Sequence, residues 1–421
     1  MAFRMSLCIV CGMLFAAAAG CGETAGEDAA LTDPQRPAGA ETAATENTAT
    51  GAGTKQTAEA TTGAADSRAA SRPEIERLLV EAETAVEAGR LSLAVELLSQ
   101  CIALDPQNAD AAFQRGRAYA DMGQNASALA DLSTALQLNP KNASWWNTRG
   151  FFLLTRGSHE AAFADLNEAI ALQPEFAEAY NNRGMVQMAL GHAEEAVKDF
   201  AQALKCRPGY LDALNNRGFV RMRLGQFDEA IADFDAAIAI DPSAVNPLNN
   251  RGLTHFRQEN YNAAVADFTE AIVRRPENPK YYRHRQSAWE QLGHTREADA
   301  DRQKATLLEL LVVFDQRIRE NKGDAEAFLG RGEVRQRLGQ QDLALSDFEQ
   351  AASLNPRLSE AWLGQARVQL DRGEFQQTVT LCDRALEASA GLAAWSIRGD
   401  AWYGLKDYGR AVADFDRARR I

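Results

Sequence analysis

The chain has 421 residues, 46% of them hydrophobic, and its 45 basic residues are outnumbered by 58 acidic ones for a formal charge of −13. That length and apolar fraction suffice for two or three ordinary domains. The acidic balance argues against general affinity for nucleic acid or anionic lipid heads, because no dense basic face is available to neutralise phosphates.

Residues 1–20 read as an export signal, with Arg4, an apolar run from Met5 to Ala19 and small residues ahead of Cys21. The run is short for spanning a bilayer and lies at the end where export signals lie. Ala18-Ala19-Gly20-Cys21 resembles a bacterial lipoprotein box, which implies lipidation at Cys21 and a membrane-anchored place in the bacterial cell envelope, facing the periplasm or the cell surface. Ala18 departs from the leucine usual in that box, which leaves ordinary signal cleavage or retention as an uncleaved anchor as alternatives. From 21 to 72 the composition is Ala, Thr, Gly, Glu and Ser with almost no large apolar residue. Such a segment buries too little surface to offset chain entropy and is expected to be a disordered tether with a reach of about 40 Å.

Cys8 and Cys11 belong to the signal, and Cys101, Cys206 and Cys382 fall in separate helical patterns. No disulfide framework and no zinc spacing follow, so buried thiols are expected and no metal or cofactor.

From Ile75 onward the sequence repeats with a period near 34. Most units show a helix of about fourteen residues, a turn with Gly, a second helix and a Pro near the end. The prolines are Pro106, Pro140, Pro174, Pro208, Pro242, Pro276 and Pro356; the turn glycines are Gly89, Gly123, Gly157, Gly191, Gly225, Gly293, Gly339 and Gly373. A proline stops the second helix, and glycine suits the left-handed backbone between antiparallel helices. Small residues recur at an eighth place (Gly116, Gly150, Gly184, Gly218, Gly252, Gly332, Gly399) and at a twentieth (Ala94 through Ala411). Large ones recur at a twenty-fourth, such as Phe200, Phe234, Phe268, Phe348 and Phe415. This pattern resembles the tetratricopeptide repeat (TPR) family over nearly all of 75–421. The resemblance implies an all-α fold, a right-handed superhelical α-solenoid of about ten helix-turn-helix units.

One unit departs. After Ala298 no proline closes the second helix, and "ATLLELLVVFDQRIREN" runs on by about a dozen residues. A lengthened or kinked helix over 306–324 is expected to separate a main array, 73–305, from a second one, 325–421. In the last unit Arg419 takes a place held earlier by Ile or Leu, with Arg417 and Arg420 beside it. Charge there suggests a self-capped terminus, with a dimer contact as the alternative.

The string "NNRG" occurs at 181–184, 215–218 and 249–252. Its Gly is the small eighth residue. Its Arg, at the seventh place, is followed sixteen residues later by Asp in eight units, from Arg115 and Asp131 to Arg398 and Asp414; the two units without the Arg have Leu97 and Leu381 in place of the Asp. Presence and absence track together, which predicts a bidentate ion pair inside each hairpin. The resemblance places first helices on a concave face, where Asn182, Asn216 and Asn250 could bond the backbone of an extended peptide; solvation or bonding to the neighbouring helix is the alternative. A Phe/Met/Leu stripe at the ninth and twelfth places, Phe151, Leu154, Met185, Met188, Phe219, Met222, Leu253 and Phe256, is confined to four consecutive units. It is expected either to be an adaptable binding surface or to pack adjacent first helices together.

No phosphate loop, nucleophile elbow or His-Glu metal motif occurs, and the five histidines are scattered, so catalysis is not expected. The expected function is an exported, lipid-anchored adaptor that binds a protein or peptide in its concave groove, with no small-molecule substrate and no nucleic acid. The alternative is a structural component of a secretion, pilus or outer-membrane assembly machine acting through its convex or end surfaces.

Overall fold

The computed structural model describes residues 59–389 and 391–420, with side chains from Arg72 onward. The export signal, Cys21 and the tether as far as residue 58 lie outside the described residues. Among the described residues there are twenty helices and no strand.

The chain divides into two compact units between Ala213 and Leu214. In the first, the helices are α1 (Glu59–Glu87), α2 (Leu91–Leu104), α3 (Ala109–Asp121), α4 (Asn125–Leu138), α5 (Ala143–Thr155), α6 (His159–Leu172), α7 (Ala177–Ala189) and α8 (Ala193–Cys206). Helix α9 (Leu211–Arg223) crosses the division. The second unit continues with α10 (Phe227–Ile240), α11 (Val245–Arg257), α12 (Tyr261–Arg274), α13 (Pro279–Gln291), α14 (Thr295–Glu320), α15 (Ala325–Arg337), α16 (Gln341–Leu354), α17 (Ser359–Asp371), α18 (Phe375–Glu387), α19 (Leu392–Gly404) and α20 (Tyr408–Arg420). Odd and even helices pair as the expected ten hairpins, an α-solenoid in which each hairpin packs on its sequence neighbours within its unit.

One boundary differs from the expectation. Helix α1 begins at Glu59, inside the segment assigned to the tether, because Ala64, Ala65, Ala69 and Ala70 favour helix strongly enough to extend the first repeat backward. The split between compact units falls at Ala213 and Leu214, ahead of the lengthened helix expected at 306–324. Those residues continue helix α14 without a break and dock the next hairpin: Asp315 accepts from Arg331 at 2.7 Å, Arg317 donates to Asp324 at 2.8 Å, and the Phe314 ring lies against Gly330.

The turn chemistry follows from backbone sterics. All eight turn glycines have φ between +70° and +82°, and where the turn lacks glycine, Glu259 and Lys406 take φ of +62° and +64°. Within a hairpin, a Cβ on Gly218 would stand 2.7 Å from the Phe234 ring, and one on Gly150 would stand 2.9 Å from Leu166. The eighth place is therefore small because the twenty-fourth residue lies directly on it.

Helix α14 shows how the repeat tolerates its insertion. Arg285 and Arg331 are 46 residues apart where the period is 34, so the following hairpin docks about 18 Å farther along the helix. At the place of the buried phenylalanines, α14 carries exposed Arg302, paired with Glu290 and Asp299 at 2.7 and 2.6 Å. A charge replaces the ring where no hairpin covers it. The last hairpin behaves differently from the expected self-cap. Arg417, Arg419 and Arg420 are exposed, yet Tyr403, Tyr408, Val412 and Phe415 are exposed as well, so the arginines do not close its apolar face.

Candidate functional site

The Arg–Asp series is realised in every predicted pair. Each seventh-place arginine grips its aspartate through Nε and a terminal nitrogen, for example Arg149 with Asp165 at 2.7 and 2.8 Å and Arg183 with Asp199 at 2.9 and 2.6 Å. The aspartates are buried and the arginines half-buried. The Asp199 hydrogen bonds hold the Arg183 guanidinium above its ordinary pKa despite its burial.

The same arginines also reach backward. Nη1 of Arg115, Arg149, Arg183, Arg251, Arg285 and Arg331 bonds Ser99, Ser133, Asn167, Asp235, Thr269 and Asp315, each sixteen residues earlier on the preceding second helix. Each of these residues therefore ties its own hairpin together and fastens it to the one before. Sequence reasoning missed this second bond because the acceptors vary among Ser, Asn, Asp and Thr. Their fixed sixteen-residue offset was the available signal.

Both asparagines are engaged by the fold. Asn182 Nδ2 donates to Asn147 Oδ1 at 2.9 Å in the first unit, and Asn250 Nδ2 donates to Asn215 Oδ1 at 2.9 Å in the second. The sixth-place amide of one first helix thus bonds the fifth-place amide of the preceding one, 35 residues back. Asn182 and Asn216 are buried, at 6% and 1% exposed, and Asn250 is half-buried. The expectation that these amides face a peptide backbone is replaced by a ladder between neighbouring first helices.

His284 occupies the sixth place in the next hairpin, and its Nδ1 lies 2.8 Å from Asn249 Oδ1. The neutral ring therefore carries its proton on Nδ1, donating as the asparagines do. Burial beside Phe268, with Lys280 adding repulsion, holds its pKa down to about 4. An unfolded imidazole titrates near 6.5, so the unfolded chain binds the proton more readily and stability is lost as pH falls from about 6.5 toward 4. His284→Asn restores the ladder residue and is expected to flatten the acid dependence of thermal melting across that window. An unchanged slope would remove His284 as its source.

The apolar stripe falls partly in each unit. In the first, Leu154 and Met185 are buried while Phe151 and Met188 are half-buried; in the second, Met222 is buried while Phe219, Leu253 and Phe256 are half-buried. Leu253 packs against Met222 and Phe234 of the preceding hairpin, and Phe256 against the cluster of Ala264, Val265, Phe268 and Ala288. Packing between hairpins takes most of the stripe, and the half-buried residues keep an accessible edge. Exposed Arg223 and Arg257 follow it on α9 and α11.

Among the described residues no group of three or more His, Cys, Asp or Glu is placed to hold a metal, and no helix is long and apolar enough to cross a membrane. Cys101 and Cys382 are buried free thiols and Cys206 is partly exposed, with the Cys382 thiol pushed up to about 12 by burial.

Five family models described as tetratricopeptide or TPR repeats match residues 85–150, 153–191, 177–210, 220–259, 248–275 and 329–393, together more than half of the chain. A search of curated proteins returned no match. Among solved structures, the chain is similar to a tetratricopeptide repeat protein from Parabacteroides merdae at 20% identity and a TM-score of 0.42, covering 62% of this chain and 99% of that one. It is similar to PilF of Pseudomonas aeruginosa at 18% identity and a TM-score of 0.45, covering 52% and 96%. YrrB, described as a TPR protein with an unusual peptide-binding site, aligns at 21% identity and a TM-score of 0.37, covering 43% and 94%.

Proposed function

The chain belongs to the tetratricopeptide repeat family, a family of protein-interaction scaffolds, and on that premise we propose that it is an exported scaffold, anchored through a lipid on Cys21, that holds a protein or peptide segment against its first helices. The observation that carries the surface is the residual stripe. Phe151 and Met188 in one unit, and Phe219, Leu253 and Phe256 in the other, keep accessible apolar edges that the repeat itself does not require. The corresponding places in α13 are Ser287 and Glu290. Aromatic and Met side chains give an adaptable contact, and the arginines beside them provide the polar rim of a binding patch. The amides that would otherwise compete for the peptide backbone are tied into the ladder, so affinity rests on the apolar edges.

One strain series tests both parts. A photo-crosslinking residue at Phe256 is expected to trap a partner, while the same probe at Val273, 69% exposed on a second helix, traps none. Adducts from Val273 alone would sink the first-helix reading and favour an assembly component acting through second-helix surfaces. In the same strains Cys21→Ser is expected to move the protein from the membrane to the soluble fraction, and an unchanged distribution would remove the anchor.

A further inference from the structure

We propose that the cleft beside the inserted half of α14 is a second docking site, separate from the first-helix face, that takes an acidic peptide segment carrying an apolar residue next to its carboxylate. The cleft has a volume of about 580 Å3 and lies wholly within the second unit, between the end of α14, the start of α15 and the last turns of α16. Its lining includes Ile318, Arg319, Lys322, Phe328, Arg331 and Gln350. It sits where the period lengthens from 34 to 46 residues.

The lining separates into groups already engaged and groups left open. Arg331 is fully committed: it bonds Asp347 through Nε and Nη2, and its Nη1 donates to Asp315, which also borders the cleft. Arg319 donates only to the neutral carbonyl of Gln316, and Lys322 makes no hydrogen bond or ion pair among the described residues. Arg319 and Lys322 are thus two exposed cations on the rim of one cleft, and neither has an anionic partner among the described residues. Charge complementarity therefore asks for a carboxylate from outside.

The rest of the lining narrows the class. Ile318 and Phe328 are half-buried and offer an apolar floor, with the Arg331 guanidinium 5.3 Å from the Phe328 ring centroid. The Gln350 amide provides both a donor and an acceptor, which matches a peptide group. A nucleic acid needs a longer run of cations than the pair here, and an apolar floor is of no use to a phosphate backbone. In ordinary hairpins the place of Lys322 is held by the closing proline, as at Pro174, and that of Arg319 by Ala171 in one hairpin and Lys205 in another, so the pair of cations together occurs only at the insertion.

Fluorescence anisotropy on the full chain tests the site. The probes are a fluorescein-labelled octapeptide alternating glutamate with phenylalanine or leucine, and its counterpart with lysine for each glutamate. The acidic peptide is expected to bind and the lysine peptide not to. Arg319→Glu with Lys322→Glu is expected to weaken binding by about tenfold or more, and raising salt from about 50 to about 300 mM to weaken it further. Both residues are exposed, and an unchanged melting profile checks that the variant is folded. Arg90→Glu with Lys141→Glu makes the same charge change at exposed turns of the first unit, away from both proposed sites, and is expected to leave binding unchanged. Failure of the acidic peptide to bind, equal binding of the lysine peptide, or equal loss in the two double variants would each overturn the proposal. None of these outcomes bears on the crosslinks at Phe256, so the two sites stand or fall separately.

Discussion

Asp199→Ala is expected to destabilise the α7–α8 hairpin by about 3–5 kcal/mol, because it strands a half-buried guanidinium among groups that cannot hydrate it. Arg183 loses two charge-assisted hydrogen bonds, at 2.9 and 2.6 Å, and keeps only the neutral acceptor Asn167 at 2.8 Å. Arg183→Ala leaves the buried Asp199 carboxylate without its partner, and a comparable loss follows. Removing both leaves no uncompensated charge, so the double variant is expected to lose much less than the sum of the singles. The pair is a cleaner subject than Arg217 and Asp233, because Asp233 also accepts from Arg221 at 2.7 Å and retains one arginine when the other is removed. Array unfolding need not be two-state, so hydrogen exchange of the α7 and α8 amides is the suitable measurement. Additive losses would mean that the pair contributes no coupling and that the covariation in the sequence has another cause.

This pair was legible because its two halves occur at a constant offset and disappear together. Gln365 and Leu381 show the physical consistency of that rule: with no aspartate to meet, Gln365 donates to the Phe348 backbone carbonyl at 3.2 Å instead. The asparagines were harder to place because a period of 34 directs attention to equivalent positions, whereas the bond joins the sixth place of one unit to the fifth of the last. Read at an offset of 35, Asn147 with Asn182, Asn215 with Asn250 and Asn249 with His284 were all visible in the string.

How much of the stripe stays accessible was hidden for a different reason. Comparing units identifies which residues vary, but solvent access at the ninth and twelfth places depends on how closely the next first helix approaches. Met222 lies buried under that neighbour while Phe219, three residues earlier, is only partly covered. No periodicity encodes that difference, since it arises from tertiary packing. The insertion in α14 is the opposite case. Arg302 at a place otherwise held by Phe, Leu or Cys382 already announced that no hairpin would cover it, and Asp315, sixteen residues before Arg331, announced where the next one would dock. The long helix was therefore readable as a lengthened helix that joins successive hairpins.

Phe234→Ala is expected to cost about 3–5 kcal/mol, the range for emptying a packed aromatic site. Phe234 is 0% exposed, lies on Gly218 of its own hairpin and belongs to a cluster with Met222, Ala230 and Leu253, so its ring closes both an intra-hairpin and an inter-hairpin contact. Phe415 provides the comparison that separates the two. It makes the same contact with Gly399, where a Cβ would stand 2.6 Å from the ring, yet it is 38% exposed because no described hairpin covers it. Phe415→Ala is therefore expected to cost less, about 1–2 kcal/mol, since part of its apolar surface never leaves water. The difference between the two losses measures what the neighbouring hairpin adds to an otherwise identical pair. Hydrogen exchange should show it as protection lost across α9–α12 for Phe234→Ala and only in α19–α20 for Phe415→Ala. Equal losses confined to one hairpin in both variants would place the stability inside each hairpin and make the stacking contacts incidental. Loss that spreads to the neighbours is the outcome consistent with an array whose hairpins are bolted together by the amide and arginine of the first helix and the ring of the second.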